Sequence, residues 1–365
     1  MALKCGIIGL PNIGKSTLFN CLSNAKAQSS NFPFCTIEPN IGVINVPDER
    51  LSVLAKLVNP AKIVPATVNI VDIAGLVKGS SKGEGLGNQF LGNIRETNAI
   101  IHVIRCFDDD NIVHINGSVD PVRDKEIVDY ELLIKDLDTI EKDIHKYEKL
   151  VKIGDKSAKK ILEILFIYKK YLESGHSART VAIADKDKKI IEDIHLLSAK
   201  PVIYVCNVDE YSVVKGNKYV DALKKIVKDE NAEVLIIDAA LESDIAELES
   251  YEERQLFLED AGLKESGAVK LIKSAYKILE LITFITAGPK EVKAWTIKKA
   301  TTAPKAAGVI HSDFEQGFIR AEVIKYEDYV RLGSEQNCKE AGKFFIQGKD
   351  YVVEDGDILH FRFNV

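Results

Sequence analysis

Gly9-Leu10-Pro11-Asn12-Ile13-Gly14-Lys15-Ser16-Thr17 is the stretch that decides the fold. It follows a short apolar run, Leu3-Lys-Cys-Gly-Ile-Ile8, and opens into a helix-forming segment, Ser16-Thr-Leu-Phe-Asn-Cys-Leu22. The pattern G-x-x-x-x-G-K-[ST] between a buried strand and a helix is a phosphate-binding loop. Its glycines let successive backbone N–H groups close around phosphate oxygens. The helix start adds a partial positive charge of about half a unit. Lys15 supplies a full charge to the β- and γ-phosphates, and Ser16 offers a hydroxyl to Mg²⁺.

Two further segments belong with this loop. Thr67-Val-Asn-Ile-Val-Asp72 reads as a strand ending in an acid, and Ile-Ala-Gly75 follows it. A carboxylate at that strand end holds Mg²⁺ through a water, and Gly75 allows backbone approach to the γ-phosphate. Thr36, in Asn31-Phe-Pro-Phe-Cys-Thr-Ile-Glu-Pro-Asn40, is a candidate second hydroxyl ligand for Mg²⁺. The glycine-rich stretch Lys78–Gly87 stands where a segment ordered by the γ-phosphate is expected.

Further strand candidates are 42–46, 99–105, 201–206 and 233–238, and their alternation with helices implies a doubly wound, mostly parallel sheet. An interruption over 125–197 differs in texture. Leu133, Leu137, Ile140, Ile144, Tyr147 and Val151 form a heptad seam, and Ile161, Leu165, Tyr168 and Leu172 form a second one after Gly154. Their spacing predicts an inserted α-helical coiled-coil hairpin. Beyond about 280, the runs 281–286, 291–297, 319–324 and 358–363 are separated by turn residues and predict a compact β-rich domain.

Composition limits the rest. Across 365 residues, apolar types make up 46%, charged types 28%, and the formal net charge is -6, which gives no global reason to expect a nucleic-acid binder. No apolar run approaches the roughly 20 residues of a membrane span. The N-terminus shows no secretory leader, so a cytoplasmic location is expected. Six cysteines are scattered without metal spacing and are expected to be reduced thiols. Cys35 stands apart because it precedes Thr36.

The base and the attacking water are read from what is missing. A guanine-reading relative of this fold carries Asn-Lys-x-Asp after a late strand; here the residues are Asn207-Val208-Asp209-Glu210. Val208 lacks the lysine's interactions, and Glu210 is one methylene longer than the expected Asp. Unpaired guanine donors cost on the order of 1–3 kcal/mol each, so ATP is the expected nucleotide. Leu76 stands where many such enzymes place a water-orienting Gln. His114 is the candidate replacement, since imidazole can position a water or accept its proton. Asn12 is a candidate K⁺ ligand beside the phosphates.

These segments resemble the YchF-type Obg-like ATPases, a branch of the translation-factor-related P-loop GTPases. The resemblance runs nearly end to end, through 9–17, 31–40, 72–91, 93–97, 207–210 and 306–323. It implies a G-domain over 1–124 and 198–278, an inserted helical coiled coil over 125–197 and a TGS domain over 279–365. It further implies slow ATP hydrolysis and ribosome association. By position, Asn12, Ile13, Gly14, Lys15, Ser16 and Thr17 contact the phosphates. Ser16, Thr36 and Asp72 hold Mg²⁺, Gly75 lies at the γ-phosphate, and Asn207, Val208 and the backbone of Ala239 lie at the adenine. Lys15 and His114 are the expected catalytic residues, with K⁺ stimulation through Asn12. One departure is Asp238-Ala239, where relatives carry Ser-Ala.

The expected partners are ATP and the ribosome, through its large subunit and ribosomal RNA, with no membrane and a monomeric chain. Lys290, Lys293, Lys298, Lys299 and Lys305 are the basic residues available for RNA in the last domain. A GTPase switch and a nucleotide-stabilised, non-catalytic ribosome-binding scaffold are the alternatives.

Overall fold

A computed structural model describes residues 3–24, 41–73, 86–248 and 250–364. In chain order the elements are β1 (Lys4–Ile8), α1 (Lys15–Asn24), β2 (Ile41–Asn45), α2 (Glu49–Val58), β3 (Ile63–Val64), β4 (Thr67–Asp72), α3 (Leu86–Arg95), β5 (Ala99–Arg105), α4 (Pro121–Lys152), α5 (Lys156–Glu173), α6 (Asp185–Glu192), β6 (Val202–Asn207), α7 (Lys218–Ile226), β7 (Glu233–Ile237), α8 (Ala239–Glu247), α9 (Tyr251–Asp260) and α10 (Gly267–Ile278). The C-terminal portion adds β8 (Leu281–Ala287), β9 (Val292–Lys298), α11 (Ala303–Ile310), α12 (Ser312–Gln316), β10 (Phe318–Ile324), α13 (Tyr326–Leu332), α14 (Glu335–Glu340), β11 (Phe345–Gln347) and β12 (Ile358–Phe363).

The first sheet runs β2-β4-β1-β5-β6-β7. β1 pairs in parallel with both β4 and β5, and β5–β6 and β6–β7 are also parallel. β5 and β6 are buried along their whole lengths, as expected of strands covered on both faces. The register pairs Ile7 with Asp72 and Arg105 with Asn207. The C-terminal ends of β1, β4, β5 and β6 therefore converge, where ligands of such sheets bind.

The two helices pack along most of the predicted seams, although Val151 is not part of their core and Ile164 joins it. Leu133, Ile140 and Ile144 of α4 pack with Ile164, Leu165, Tyr168 and Leu172 of α5, and Leu137, Tyr147 and Ile161 lie at the margin. Each buried aliphatic side chain contributes roughly 1.5–3 kcal/mol. Gly154, at φ 95°, makes the left-handed turn between the helices. Two features depart from the expected 125–197 pair. α4 starts at Pro121, with Asp120 capping the N–H groups of Val122 and Arg123. The chain after α5 also joins the same core through Ala178, Val181, Ile191 and Leu196, so a third layer covers the seam.

Two buried polar contacts tie the hairpin root to the sheet. Asp136, 1% exposed, accepts from Leu197 N, Ser198 N and Ser198 Oγ at 2.7, 2.7 and 2.6 Å. Nearby, Glu230 receives Lys125 Nζ at 2.7 Å, Arg179 Nη1 at 2.9 Å and Tyr204 Oη at 2.7 Å. Burial pushes the Glu230 carboxyl upward, but Lys125 and Arg179 outweigh it and hold the group below its ordinary value. His102 lies beneath this cluster. Burial, with Lys125 and Arg179 beyond it, pushes its imidazole down to about 3, so the ring is neutral.

The chain divides into two compact units, 1–43 with 69–271, and 44–68 with 272–365. The placement of 44–68 differs from the expected boundaries. β3 pairs with β9 in a second sheet, β11-β10-β12-β8-β9-β3, and Arg50 forms an ion pair with Asp355 at 2.8 Å. α11 packs Ala303, Ala306 and Ala307 against Phe284, Ile297 and Phe361 of that sheet. The β-rich reading of the last domain holds for its sheet, but four helices, α11 to α14, lie among the strands. Of the five lysines, Lys290, Lys298, Lys299 and Lys305 are exposed, whereas the Lys293 ammonium lies 3.5 Å from the Trp295 ring centre.

Replacing Glu230 with Gln leaves two buried cations short of a carboxylate, and the first unit should lose about 3 kcal/mol of stability. Because folding lowers the pKa of Glu230, its contribution is present above about pH 4.5 and is lost as pH falls through the lowered value. Thermal unfolding followed against pH should show parent and variant converging in acid; equal melting temperatures at pH 7 would contradict the assignment.

Candidate functional site

The turn from β1 into α1 is shaped by two glycines that admit no side chain. A Cβ at Gly9 would stand 2.6 Å from the Val103 carbonyl oxygen, and one at Gly14, where φ is 87°, would stand 2.3 Å from Asn207 Nδ2. Asn12 takes the left-handed region at φ 61°, which Asn tolerates better than most residues. Ser16 and Thr17 are exposed at the first turn of α1, and Leu18 N is bonded back to Gly14 O at 3.0 Å. The result is a helix N-terminus of outward-facing hydroxyls and main-chain amides, the chemistry an anion needs.

Asn207 braces this loop. Its Nδ2 donates to Ile13 O at 2.8 Å, and its Oδ1 accepts from Ala239 N at 3.0 Å. One side chain, 5% exposed, therefore fixes the phosphate loop to the start of α8. The Ala239 N–H is directed at Asn207. Val208 is buried and bonds Ile237 O at 2.9 Å. Asp209 accepts from Ser212 N at 3.0 Å, and Asp238 caps α8 through Ala240 N and Leu241 N. The departure at Asp238 thus has a structural role; burial pushes its carboxyl upward despite those two amides.

Lys15 is almost fully enclosed and its ammonium meets the Asp72 carboxylate and, at 2.8 Å, Ile73 O. Asp72 was expected to reach a metal through water; here it contacts Lys15 directly. The donor set fits Mg²⁺. That ion keeps several waters and takes one or two carboxylates together with substrate phosphates. Ser16 and Asp72 supply one hydroxyl and one carboxylate, and among the described residues no group of three or more His, Cys, Asp or Glu forms an all-protein cage. Thr36, Gly75, Cys35, Leu76 and most of 78–87 lie outside the described residues.

His114 reaches the site through its neighbour. Asn12 Nδ2 donates to Val113 O at 3.2 Å, so the loop after β5 touches the phosphate loop one residue from the imidazole. The ring itself is 8% exposed. Its Nδ1 accepts from Asn116 N at 3.1 Å, and its Nε2 lies 2.8 Å from Asp124 Oδ2. Both nitrogens are therefore engaged within the protein, which differs from a ring waiting on a water. Arg105, 1% exposed, organises the same loop. Its guanidinium donates to Phe107 O, Ile112 O and Asp109 O at 3.1, 2.8 and 3.1 Å. Sequence reading passed over Arg105 and Asp124. The signal for Arg105 was a lone cation ending an otherwise buried strand. The remaining cysteines, 5, 21, 106, 206 and 338, are free and buried.

Comparison with known proteins finds named relatives over the whole chain. A family model described as 50S ribosome-binding GTPase matches residues 4–165, and the YchF-GTPase_C model, described as a protein of unknown function, matches 281–364. The protein named Ribosome-binding ATPase YchF from Bacillus subtilis (strain 168) is 53% identical, with 100% of both chains covered. Its namesake from Escherichia coli O157:H7 is 51% identical with the same coverage. The solved structure of the Schizosaccharomyces pombe YchF GTPase superimposes with a TM-score of 0.89 at 39% identity, covering 99% of this chain and 97% of that one.

Replacing Asn207 with Ala removes both ends of the brace and leaves a buried carbonyl and a buried amide unpaired. The expected cost is about 2–3 kcal/mol for the first unit, together with weaker nucleotide binding. Denaturant unfolding and calorimetric titration check this, and a variant with parental stability and affinity would contradict it.

Proposed function

The chain belongs to the YchF family, and from that membership and the phosphate-site geometry we propose that it is a ribosome-binding ATPase, hydrolysing ATP to ADP and phosphate with Mg²⁺. The observation that carries the reading is the pairing of the glycine-shaped loop before α1 with Lys15 and Asp72. Asn12 to Thr17 cradle the phosphates with main-chain amides, and Gly75 approaches the γ-phosphate. Lys15 exchanges its contact with Ile73 O for phosphate oxygens. Ser16, Thr36 and Asp72 hold Mg²⁺. When bound, the metal draws charge from the β- and γ-phosphate oxygens.

Adenine is favoured at the base position because its carboxylates do not match guanine. Asp209 and Asp238 already accept backbone amides, Glu210 sits at the exposed surface, and Val208 replaces the stacking lysine. Asn207 and Val208 form the wall behind the purine, with Asn207 acting mainly as the brace. Asn12 keeps its Oδ1 for a K⁺ beside the phosphates, since among the described residues only its Nδ2 is engaged, by Val113 O. His114 is the group proposed to act on water in place of the missing Gln.

The partner reading is ribosomal. The relatives' names support it. The proposed contacts are with the large subunit and its RNA, through the exposed Lys290, Lys298, Lys299 and Lys305 of the TGS domain over 279–365. A G-domain interrupted by the helical hairpin that starts at Pro121, with 44–68 grouped with the C-terminal unit, completes the proposed division. The chain works as a cytoplasmic monomer in this reading; no helix among the described residues is long and apolar enough to cross a membrane.

Titration calorimetry with Mg²⁺-ATP and Mg²⁺-GTP, with and without K⁺, tests the proposal. ATP should bind more tightly, K⁺ should raise turnover, and Lys15→Ala should remove binding. GTP displacing ATP at equal or lower concentration would overturn the base assignment.

A further inference from the structure

The contacts around His114 form a short chain from the hairpin to the phosphate loop. Asp124 stands in the first turn of α4, 2% exposed, with one oxygen 2.8 Å from His114 Nε2. Its other oxygen receives Arg123 Nη2 at 3.1 Å and Nε at 3.3 Å. On the far side of the ring, Nδ1 accepts the Asn116 amide at 3.1 Å. An amide N–H can donate only to an unprotonated nitrogen, so in the neutral ring the proton sits on Nε2 and points at Asp124. Val113, next in the chain, carries the carbonyl that Asn12 grips.

We infer that Asp124 is a positioning residue for ATP hydrolysis, holding His114 in the Nε2–H form so that Nδ1 is the nitrogen offered to the attacking water. The inference rests on the reading of the chain as an ATP hydrolase. The Asn116 amide occupies Nδ1 in the arrangement seen. Exchange of that amide for a water, with Asp124 still holding the opposite side, orients the water without a change of tautomer. In the step so served, a bond forms from the water oxygen to the γ-phosphorus. The bond from that phosphorus to the β–γ bridging oxygen breaks with its electron pair staying on ADP, and the water's proton passes to solvent. A carboxylate fixing one nitrogen so that the other works is the arrangement that sets tautomer in Asp–His pairs elsewhere. Because Asp124 belongs to α4, a shift of the hairpin root moves the ring.

A double-mutant cycle tests this, with phosphate release measured at saturating Mg²⁺-ATP and K⁺. Asp124→Asn should lower kcat on the order of 10-fold or more with KM within about twofold. The same change made beside His114→Ala should add no further loss. Asp124→Asn slowing turnover equally with Ala at 114, or leaving kcat unchanged, would overturn the inference. Normal turnover by His114→Ala alone would overturn it as well while leaving the hydrolase reading intact. No phosphate release by the parent would remove the hydrolase reading and this inference together. Nitrogen-15 spectra of the parent imidazole, assigned by loss of the signal in His114→Ala, give a check that does not depend on how Asp124→Asn folds. The neutral ring should carry its proton on Nε2, and a proton on Nδ1 would contradict the assignment.

Discussion

A loop that must present main-chain amides to an anion cannot hold its own shape, because its amides face outward and its carbonyls need partners elsewhere. In this chain Asn207 meets that need. Its amide group bonds the Ile13 carbonyl and its oxygen bonds the Ala239 amide. Gly14 leaves the space that the Asn207 side chain fills. The phosphate loop, the end of β6 and the start of α8 are thereby one rigid corner, and Lys15 and Asp72 project from its edge. Preorganisation of this kind lets binding energy act on phosphate oxygens rather than on ordering the loop.

The same logic of buried polar contacts joins the hairpin to the sheet. Asp136 holds the chain entering β6, Glu230 gathers Lys125 and Arg179, and Asp124 reaches His114. All three acceptors or their partners lie within the first half of α4 or against it. That half is thus fixed to the nucleotide side of the fold, while the distal half of α4 is held chiefly by its apolar seam with α5.

Local sequence made much of this legible. The glycine spacing before α1, the heptads of α4 and α5, and the β-branched runs of the parallel sheet follow from short-range rules that tertiary contacts reinforce. Other features depend on contacts between residues far apart in sequence. Nothing near Asn207 says that its amide will bridge residues 13 and 239, and a motif reading assigns it to the base instead. His114 and Asp124 are ten residues apart, yet only the turn at 115–120 and the Asp120 cap bring them together. The cap was visible as Asp120-Pro121, a helix start that the seam-based boundary at 125 overlooked. Residues 44–68 read as part of the first sheet because β2 and β4 belong to it, but the pairing of β3 with β9 is a nonlocal choice. The helices α11 to α14 are short, and their turn-like composition masked them.

In the proposed mechanism the loop before α1 grips a metal-bound triphosphate with main-chain amides and Lys15. A crystal structure with Mg²⁺ and a non-hydrolysable ATP analogue tests it most directly. The β- and γ-phosphates should lie on the amides of residues 13–17, with the Lys15 ammonium moved from the Ile73 carbonyl onto phosphate oxygen. An analogue bound elsewhere, or a Lys15 still closed on Asp72 and Ile73 with no phosphate against the loop, would contradict it.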